Sequence, residues 1–444
     1  MSFTSPVFLF AFLPLTVIVY QLARSTKLKN AVWIAAGLLF YAFGDLRHLP
    51  LLLGSCLLHY GAGRYLMART KARRAVLLSC VTLDLAVLAF YKVRGALPLG
   101  ISFYTFQAIS YVADTYKNPA DGTKNLREAL QYLTFFPQLT AGPFLKFSAL
   151  RPYLDRRETT WEKNAQGVRR FVCGLCKKAL LSTAAAKLAD AMFSLASIDA
   201  LGAWTGALSY CLQLYFDFSG YSDMALGLGL LFGVQLPENF RYPYCAGSVT
   251  EFWRRWHMTL SGWFRDYVYI PLGGSRKGRA RTVFNKLLVF LATGLWHGTG
   301  WAFVLWGLWH GAFCGAETLL DRNKTLKTHW YGHVYTLLVV IFGFVLFRAE
   351  SVPQALMLLR TMLSGFTPVD ACRLALRNLL TAGTVFWCLA GVLACLPLWE
   401  HAKARFGGSR WLSAVLDTLT IVGLLLCLMQ LASHSFQPFI YASF

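Results

Sequence analysis

Long apolar segments, separated by short polar loops, make up most of the chain. A transmembrane helix takes about 20 predominantly apolar residues. Candidate spans lie near residues 5–22, 31–45, 49–63, 75–91, 98–113, 131–145, 173–193, 205–233, 285–299, 301–319, 331–347, 379–396 and 413–433. Because Gly and Pro interrupt several of them, the pattern predicts an all-α integral membrane protein with about ten to twelve transmembrane helices. Other segments are predicted to be re-entrant or, like residues 351–377, to lie at the interface.

The composition supports a membrane protein. Of the 444 residues, 56% are hydrophobic and 14% are charged, whereas about a quarter of the residues of a soluble domain are charged. Most of the chain therefore avoids water. We interpret residues 1–444 as a single membrane domain rather than as two or three soluble domains.

The net charge of +22 comes from clusters of Lys and Arg that alternate with nearly neutral loops such as residues 45–47. Such alternation is typical of the positive-inside rule. It predicts a multi-pass protein of the cell membrane with both termini on the extracytoplasmic side. The basic surface would then face lipid headgroups and the cytoplasm, and no nucleic-acid partner is predicted. The clusters are Arg24, Lys27 and Lys29; Arg64, Arg69, Lys71, Arg73 and Arg74; Arg276, Lys277, Arg279 and Arg281; and Lys403, Arg405 and Arg410.

The eleven cysteines fall mostly within apolar segments, where free thiols behave as small hydrophobic groups. Cys173 and Cys176 form a C-x-x-C pair, but no second pair or nearby histidine completes a zinc-binding pattern. No metal site is predicted.

One short motif occurs twice. Residues 295–298, Leu-Trp-His-Gly, recur as residues 308–311. On one unbroken helix His297 and His310 would lie about 20 Å apart, but Gly298 and Gly300 predict a tight helical hairpin with one histidine on each helix. A histidine in an apolar segment suits proton transfer near neutral pH. The alternative is a structural histidine that donates to a backbone carbonyl.

Residues 251–267 are rich in Trp, Tyr and Arg and are predicted to form one helix. At helical spacing they form an apolar stripe of Trp253, Trp256, Leu260, Trp263 and Tyr267 and a polar stripe of Arg254, His257, Ser261 and Arg265. The polar stripe would bring His257 and cations to a buried anionic ligand. The alternative is an interfacial helix with aromatic and basic anchors.

A glycine-rich basic segment, residues 271–279, follows directly. Glycines leave backbone N–H groups accessible, and cations suit phosphates, although the spacing of a Walker loop is absent. The segment is either a phosphate-binding loop or a basic cytoplasmic loop.

Asp217 and Asp223 place two carboxylates within a long apolar segment. Buried charges are expected to be paired. The arginines of residues 251–267 are their predicted partners.

Residues 251–271 together with residues 295–311 resemble the core signature of bacterial MBOAT (membrane-bound O-acyltransferase) proteins. The similarity is greatest to the branch that contains the alginate and peptidoglycan O-acetylation membrane subunits. Residues 101–107, 136–143, 215–223 and 237–240 extend it. The resemblance therefore implies a motif-bearing core of residues 98–320 with flanking helices in residues 1–97 and 321–444. It also implies a ring of helices around a thin central passage, where a cytoplasmic thioester meets an acceptor from the other side.

The resemblance also implies roles for individual residues. The family histidine in a Trp-His-Gly context corresponds to His297, and the second histidine of the branch, in Arg-Trp-His, corresponds to His257. His297 would act as the general base, and His257 or tryptophan N–H groups would stabilise the oxyanion. The donor would be acetyl-CoA, a substrate and not a tightly bound cofactor. Its phosphates would be held by the cations Arg254, Arg255, Arg276, Lys277 and Arg279.

The expected function is transfer of an acetyl group across the membrane to an extracytoplasmic polysaccharide, directly or through a secreted partner of the SGNH type. One alternative is D-alanyl transfer to teichoic acid within the same family. An alternative from another class is a transporter of an anionic metabolite.

The chain ends in the aromatic segment 435–444. This segment resembles the Phe-Ile-Tyr ending of the same branch and of a companion subunit of D-alanylation systems, which implies that Tyr441 carries the acyl group. Ala442 departs from the fuller pattern, which has a bulky aromatic residue there. The alternative is an interfacial aromatic anchor.

Overall fold

The computed structural model describes residues 1–68, 71–321, 323–407 and 409–433. Within these ranges the regular structure is helical and contains no β-strand, which confirms the predicted all-α class. The residues form two compact units, Met1–Val172 with Tyr221–Glu238 and Cys173–Gly220 with Asn239–Phe444. The prediction of a single membrane domain with a 98–320 core stays a prediction.

The first unit is built from eight helices that precede residue 156. They are α1 (Leu13–Leu22), α2 (Thr26–Asp45), α3 (Leu49–Met67), α4 (Arg73–Arg94), α5 (Ile101–Lys117), α6 (Leu126–Leu133), α7 (Phe136–Leu139) and α8 (Phe147–Asp155). A π-helical turn, Phe8–Phe12, precedes α1, and a 3₁₀ turn, Pro119–Asp121, follows α5. The next long helices, α9 (Trp161–Cys176) and α11 (Ala200–Leu231), each contribute residues to both units.

The second unit contains the remaining helices. They are α10 (Thr183–Ser194), α12 (Val249–Arg255), α13 (Met258–Phe264), α14 (Gly278–His297), α15 (Trp301–Leu319), α16 (Asn323–Thr328), α17 (Trp330–Arg348), α18 (Val352–Ser364), α19 (Asp370–Leu379), α20 (Ala382–Ala394), α21 (Leu398–Phe406) and α22 (Arg410–Ala432). Lys177–Ser182 and Arg265–Tyr269 are π-helical, and Pro243–Cys245 is a 3₁₀ turn.

Hydroxyl side chains begin several of these helices. Ser25, Ser248 and Ser351 each accept a hydrogen bond from the backbone N–H three residues later, at the starts of α2, α12 and α18. Such caps satisfy one of the backbone donors that a helix leaves unbonded at its first turn. The boundaries of these helices therefore follow from local sequence.

Three described helices are long and apolar enough to cross a membrane by length and composition: α4, α17 and residues Trp411–Ala432 of α22. Helices α19 and α20 meet at 86° and would make a fourth span if they cross together. Fewer described helices meet these criteria than the ten to twelve transmembrane helices predicted, because the other helices are shorter or more polar. The number of spans stays a prediction.

The surface of α4 indicates a lipid environment. Leu78, Leu83, Leu85, Phe90 and Val93 are all exposed. Exposure of this apolar surface to water would cost about 25 cal/mol of free energy per Å². A bilayer removes this cost.

The span predicted near residues 131–145 is wrong. The chain there forms α6, the four-residue α7 and an irregular stretch. Pro137 and Pro143 lack the N–H that a continuous helix needs, and a Cβ on Gly142 would lie 2.4 Å from the Pro137 carbonyl oxygen. Most of the segment is buried by protein, which is the condition for non-helical backbone at membrane depth.

Candidate active site

Helices α14 and α15 form the hairpin that the repeated motif predicts. Their backbones approach closely at glycines: a Cβ on Gly294 would lie 2.4 Å from the Phe303 carbonyl oxygen, and one on Gly307 would lie 2.4 Å from that of Phe290. His297 is the last residue of α14, and Gly298 follows in an extended conformation. The hairpin therefore presents His297 at its turn.

His297 is buried among aromatic rings. The ring centroids of Trp296, Trp306 and Phe347 lie 4.8, 5.2 and 5.0 Å from that of the imidazole. Each ring meets the imidazole at a steep angle, between 69° and 89°. A dipole or charge in such apolar surroundings interacts more strongly than it would in water. These surroundings suit a group that must interact strongly with a reacting substrate.

His310, from the second copy of the motif, lies on α15 and is fully buried. Trp306 lies beside both histidines, since its ring centroid is 5.2 Å from that of His297 and 5.3 Å from that of His310. Gly343 makes room for the second imidazole, because a Cβ there would lie 2.3 Å from His310 Nε2. The two histidines thus share one aromatic neighbour.

The segment around His257 differs from the prediction. It forms two short helices, α12 and α13, and not one helix. His257 separates them in the left-handed region, with φ 43° and ψ 53°, which is uncommon for a residue with a Cβ. The predicted polar stripe is therefore wrong, because the helical spacing that aligned Arg254 with His257 and Ser261 is interrupted.

Asn239 explains the interruption. Its backbone oxygen accepts a hydrogen bond from Met258 N–H at 2.9 Å, and its side-chain Oδ1 accepts from Thr259 N–H at 3.2 Å and from Thr259 Oγ1 at 2.9 Å. His257 Nδ1 lies 3.2 Å from the same Oδ1. One buried amide thus holds both the backbone and the ring of the histidine.

The surroundings of the His257 ring are mainly apolar. The Phe218 ring meets it edge to face at 4.5 Å. His257 lies in the polar stretch between the apolar segments, and burial there lowers the pKa of its imidazole to about 3. His257 is therefore neutral at physiological pH.

A continuous series of aromatic contacts joins the two predicted catalytic histidines. Successive ring centroids lie 5.1–6.4 Å apart. The series runs through His297, Trp306, Trp253, Phe252, Trp256, Phe240 and His257. Since all seven residues belong to the second unit, His297 and His257 are parts of one aromatic wall.

The predicted phosphate-binding cations come from two places in the chain, α12 and the segment at the start of α14. Arg276, Lys277 and Arg279 are exposed near the start of α14. His297 ends that helix, which places these cations about 30 Å away at 1.5 Å per residue. On α12, Arg255 donates to Glu251 at 2.7 Å, and Arg254 is exposed.

The glycine-rich loop folds back on itself. The N–H groups of Gly273 and Gly274 donate to the carbonyls of Ile270 and Tyr269, just before the loop, and Arg276 N–H donates to the Gly273 carbonyl. These N–H groups are therefore not the accessible donors that the sequence suggests. Buried Asn285 donates to the Gly274 carbonyl at 2.9 Å and fixes the loop to α14. The loop can therefore offer phosphates its exposed side chains rather than these amides.

The two carboxylates of α11 are paired, as predicted, but with other partners. Asp217 pairs with Lys178, and Asp223 pairs with Arg170 at 2.6 Å. The prediction that arginines of residues 251–267 are the partners is wrong. The pairing residues come from α9 and the π-helical segment that follows it.

Glu317 is a site residue for which the sequence motifs predict no role. From α15 it accepts hydrogen bonds from the N–H groups of Val249 and Thr250, at 2.7 and 2.9 Å. A carboxylate is favoured at a helix N-terminus, so Glu317 ties α12 to the hairpin. Its signal in the sequence is a lone acidic residue within an apolar segment.

Tyr441 lies outside the described residues. The structure therefore does not test its predicted role.

Comparison with known proteins identifies the family. Residues 111–358 match the family model described as MBOAT, membrane-bound O-acyltransferase family. The chain is 36% identical to the "Probable alginate O-acetylase AlgI" of Pseudomonas putida, with both chains covered fully. It is 35% identical to the peptidoglycan O-acetyltransferase of Helicobacter pylori, over 84% of this chain and 81% of that one. It is 27% identical to the teichoic acid D-alanyltransferase of Bacillus subtilis, over 57% and 69%.

The helical fold, the lipid-facing surface and the matched histidine region define a membrane-embedded acyltransferase. The chain belongs to the membrane-bound O-acyltransferase family.

Proposed function

We propose that the protein transfers an acetyl group from cytoplasmic acetyl-CoA to hydroxyl groups of an extracytoplasmic polysaccharide, directly or through a secreted partner of the SGNH type. The observation that carries the proposal is the position of His297 at the turn of the hairpin, caged by aromatic rings. The relatives named for acetylation of alginate and of peptidoglycan support a polymer as the acceptor.

His297 acts as the general base in this proposal. It removes the proton of the hydroxyl that acts as the nucleophile, and the oxygen of this hydroxyl attacks the thioester carbonyl carbon. The carbon–sulfur bond then breaks, and the thiolate leaves with the proton that the imidazole returns. Such catalysis contributes about 10²–10⁴-fold. Trp306 Nε1 makes no hydrogen bond within the described residues, and this donor beside His297 suits a developing oxyanion.

The donor is bound from the cytoplasmic side. The cations near the start of α14 lie about 30 Å from His297 along the helix. A coenzyme A thioester has its phosphates and its reactive carbonyl at opposite ends of an extended arm, so its phosphates bind at a distance from His297. Arg276, Lys277 and Arg279 hold the phosphates, and Arg254 and Arg255 assist from α12.

The test uses His297→Ala in membranes, with labelled acetyl-CoA as donor and alginate or peptidoglycan fragments as acceptors. Transfer should fall by about 10²-fold or more at equal protein abundance. The matched control is His401→Ala, because His401 is exposed on α21. Equal transfer by His297→Ala and by wild type would refute the proposal.

D-alanyl transfer is the second candidate, supported by the similarity to the Bacillus subtilis D-alanyltransferase. Parallel assays with a D-alanyl thioester of a carrier protein decide between the donors. A transporter would instead move an anion into liposomes without acyl turnover.

Tyr441 is part of the proposal as the carrier of the acetyl group. His297 would remove the phenol proton, the phenol oxygen would attack the thioester carbonyl carbon, and the carbon–sulfur bond would break to give an aryl acetate and the thiol. The hydroxyl of the final acceptor would then attack the aryl acetate, and the phenol would leave with the proton of that hydroxyl. Tyr441→Phe keeps the ring and removes only the hydroxyl, so transfer to polymer should be lost. Normal transfer by this variant would leave Tyr441 as an interfacial anchor.

A further inference from the structure

Helices α18 and α19, with the turn between them, have an apolar outward side. Phe366, in that turn, is 75% exposed. Exposed apolar surface of this kind typically marks a contact with another protein or with a membrane. The sequence predicts that residues 351–377 lie at the membrane interface, and the structure shows which of their side chains face outward. The exposed apolar residues of the two helices and the turn include Leu356, Leu363, Phe366, Leu374 and Leu380.

Contacts on its inward side hold α19 in one orientation. The Asp199 carboxylate accepts a hydrogen bond from Val369 N–H at 2.9 Å, at the start of α19, and another from Gly202 N–H at 2.8 Å, on α11. Cys372 and Leu376 lie one turn apart on α19, and both are buried. These contacts determine which side of α19 faces outward.

The bend between α19 and α20 determines how α19 lies relative to the bilayer. Helix α20 contains no charged residue, and its Phe386, Leu389 and Leu393 are exposed, so this helix suits the hydrocarbon core. Helix α19 carries Arg373 and Arg377, and charged side chains are costly in that core. Because the two helices meet at 86°, α19 runs nearly parallel to the membrane surface where α20 crosses it.

The outward side of these helices also carries positive charge. Arg373 and Arg377 lie one turn apart on α19, and Arg360 lies on α18; all three are exposed. The ion pair of Arg373 with Asp370 is long, at 3.9 Å, and both side chains are exposed, so this pair contributes little. Arginines beside exposed apolar residues are typical of helices that lie in the membrane interface and are attracted to anionic lipids.

We propose that the outward side of α18 and α19 is a binding surface for anionic phospholipids of the bilayer. Phe366 and Leu374 enter the boundary of the acyl chains, and Arg373 and Arg377 contact the headgroup phosphates. A lipid surface fits better than a protein because the exposed apolar surface continues directly from Leu380 onto α20. Each arginine strengthens the binding of an anionic lipid about five-fold.

The test places the photoreactive residue p-benzoylphenylalanine at Phe366 in the full chain. The protein is reconstituted in nanodiscs with equal amounts of phosphatidylglycerol and phosphatidylcholine, and mass spectrometry identifies the lipids that are cross-linked on illumination. Phosphatidylglycerol adducts should predominate. Their ratio to phosphatidylcholine adducts should fall about five-fold in Arg373→Gln and in Arg377→Gln, and it should be retained in Arg373→Lys and Arg377→Lys, which keep the charge.

The matched control is Arg156→Gln, because Arg156 is exposed in the polar stretch before α9, and this variant should keep the ratio of the wild type. Equal labelling of the two lipids, or an unchanged ratio in both glutamine variants, would overturn the proposal. Absence of any lipid adduct would overturn it as well. The same illumination in cell membranes should again give lipid adducts, whereas an adduct with another protein in their place would show that this surface is a protein interface.

Discussion

At the scale of single residues, three histidines of the second unit have different surroundings. His297 is caged by three aromatic rings, His310 is packed against Gly343, and His257 is held by Asn239. A histidine in an apolar segment is a candidate for function, because an ionisable side chain there costs free energy. Only the neighbouring residues decide which ring nitrogen carries the proton and what the histidine can bind.

The Lys178–Asp217 pair gives a prediction at this scale. Both side chains are almost completely buried, so removing one leaves the other as a buried charge without this ion pair. Lys178→Met or Asp217→Asn should each destabilise the protein by about 3–5 kcal/mol. The double variant should lose much less stability than the sum of the losses in the two single variants. Thermal unfolding in detergent, followed by size-exclusion chromatography, measures all four proteins, and additive losses would show that the charges do not interact.

At the scale of elements, the hairpin of α14 and α15 is the main support of the site. Glycines let the two backbones touch, and Glu317 attaches α12 to the second helix of the hairpin. The aromatic rings of α12 then pack on Trp306 and His310. Hairpin and aromatic segment therefore position one another.

Gly307→Ala tests the close approach. The new Cβ would lie 2.4 Å from the Phe290 carbonyl oxygen, and since this oxygen belongs to the backbone, the helices must move apart. Overpacking of this kind costs about 1–3 kcal/mol, and the shift of neighbouring Trp306 should lower acetyl transfer.

Gly262→Ala is the matched control, because nothing lies within 4 Å of its Cβ position on α13. Alanine there should be neutral or stabilising by up to about 1 kcal/mol. If both variants had the same unfolding midpoint and activity, the close approach would have no importance for the site.

At the scale of the whole molecule, charge is distributed unevenly along the chain. Lys and Arg number 43 against 21 Asp and Glu, and many of the basic residues cluster in short loops and in the helices beside them. The positive-inside rule predicts that these clusters face the cytoplasm. In the proposed function, the loop before α14 would then lie on the side of the donor acetyl-CoA.

Charge reversal in this loop tests the proposal. Arg276→Glu with Lys277→Glu should raise the KM for acetyl-CoA several-fold and change kcat little, because phosphate contacts are equally present in the ground and transition states. Lys403→Glu, in another exposed basic cluster, is the control. A cysteine at Ser275 should react with impermeant thiol reagents only in inside-out vesicles. Labelling from the outside of intact cells would refute the topology.

The sequence by itself determined the features that depend on neighbouring positions. The apolar segments and basic loops indicated an all-α membrane protein, because hydropathy acts locally. The repeated Trp-His-Gly motif predicted the hairpin and the position of His297, because two glycines next to the histidine interrupt the helix.

Only the tertiary structure decided the features that join distant positions. Asn239 breaks the aromatic segment at His257 from 18 residues away, and helical periodicity cannot register such a contact. Lys178 and Asp217 are 39 residues apart, and the charge of a side chain does not specify which opposite charge lies beside it. Glu317 reaches Val249 from 68 residues away. Each of these contacts forms because packing brings the helices together, and burial then requires every polar group to be satisfied by whichever partner is near.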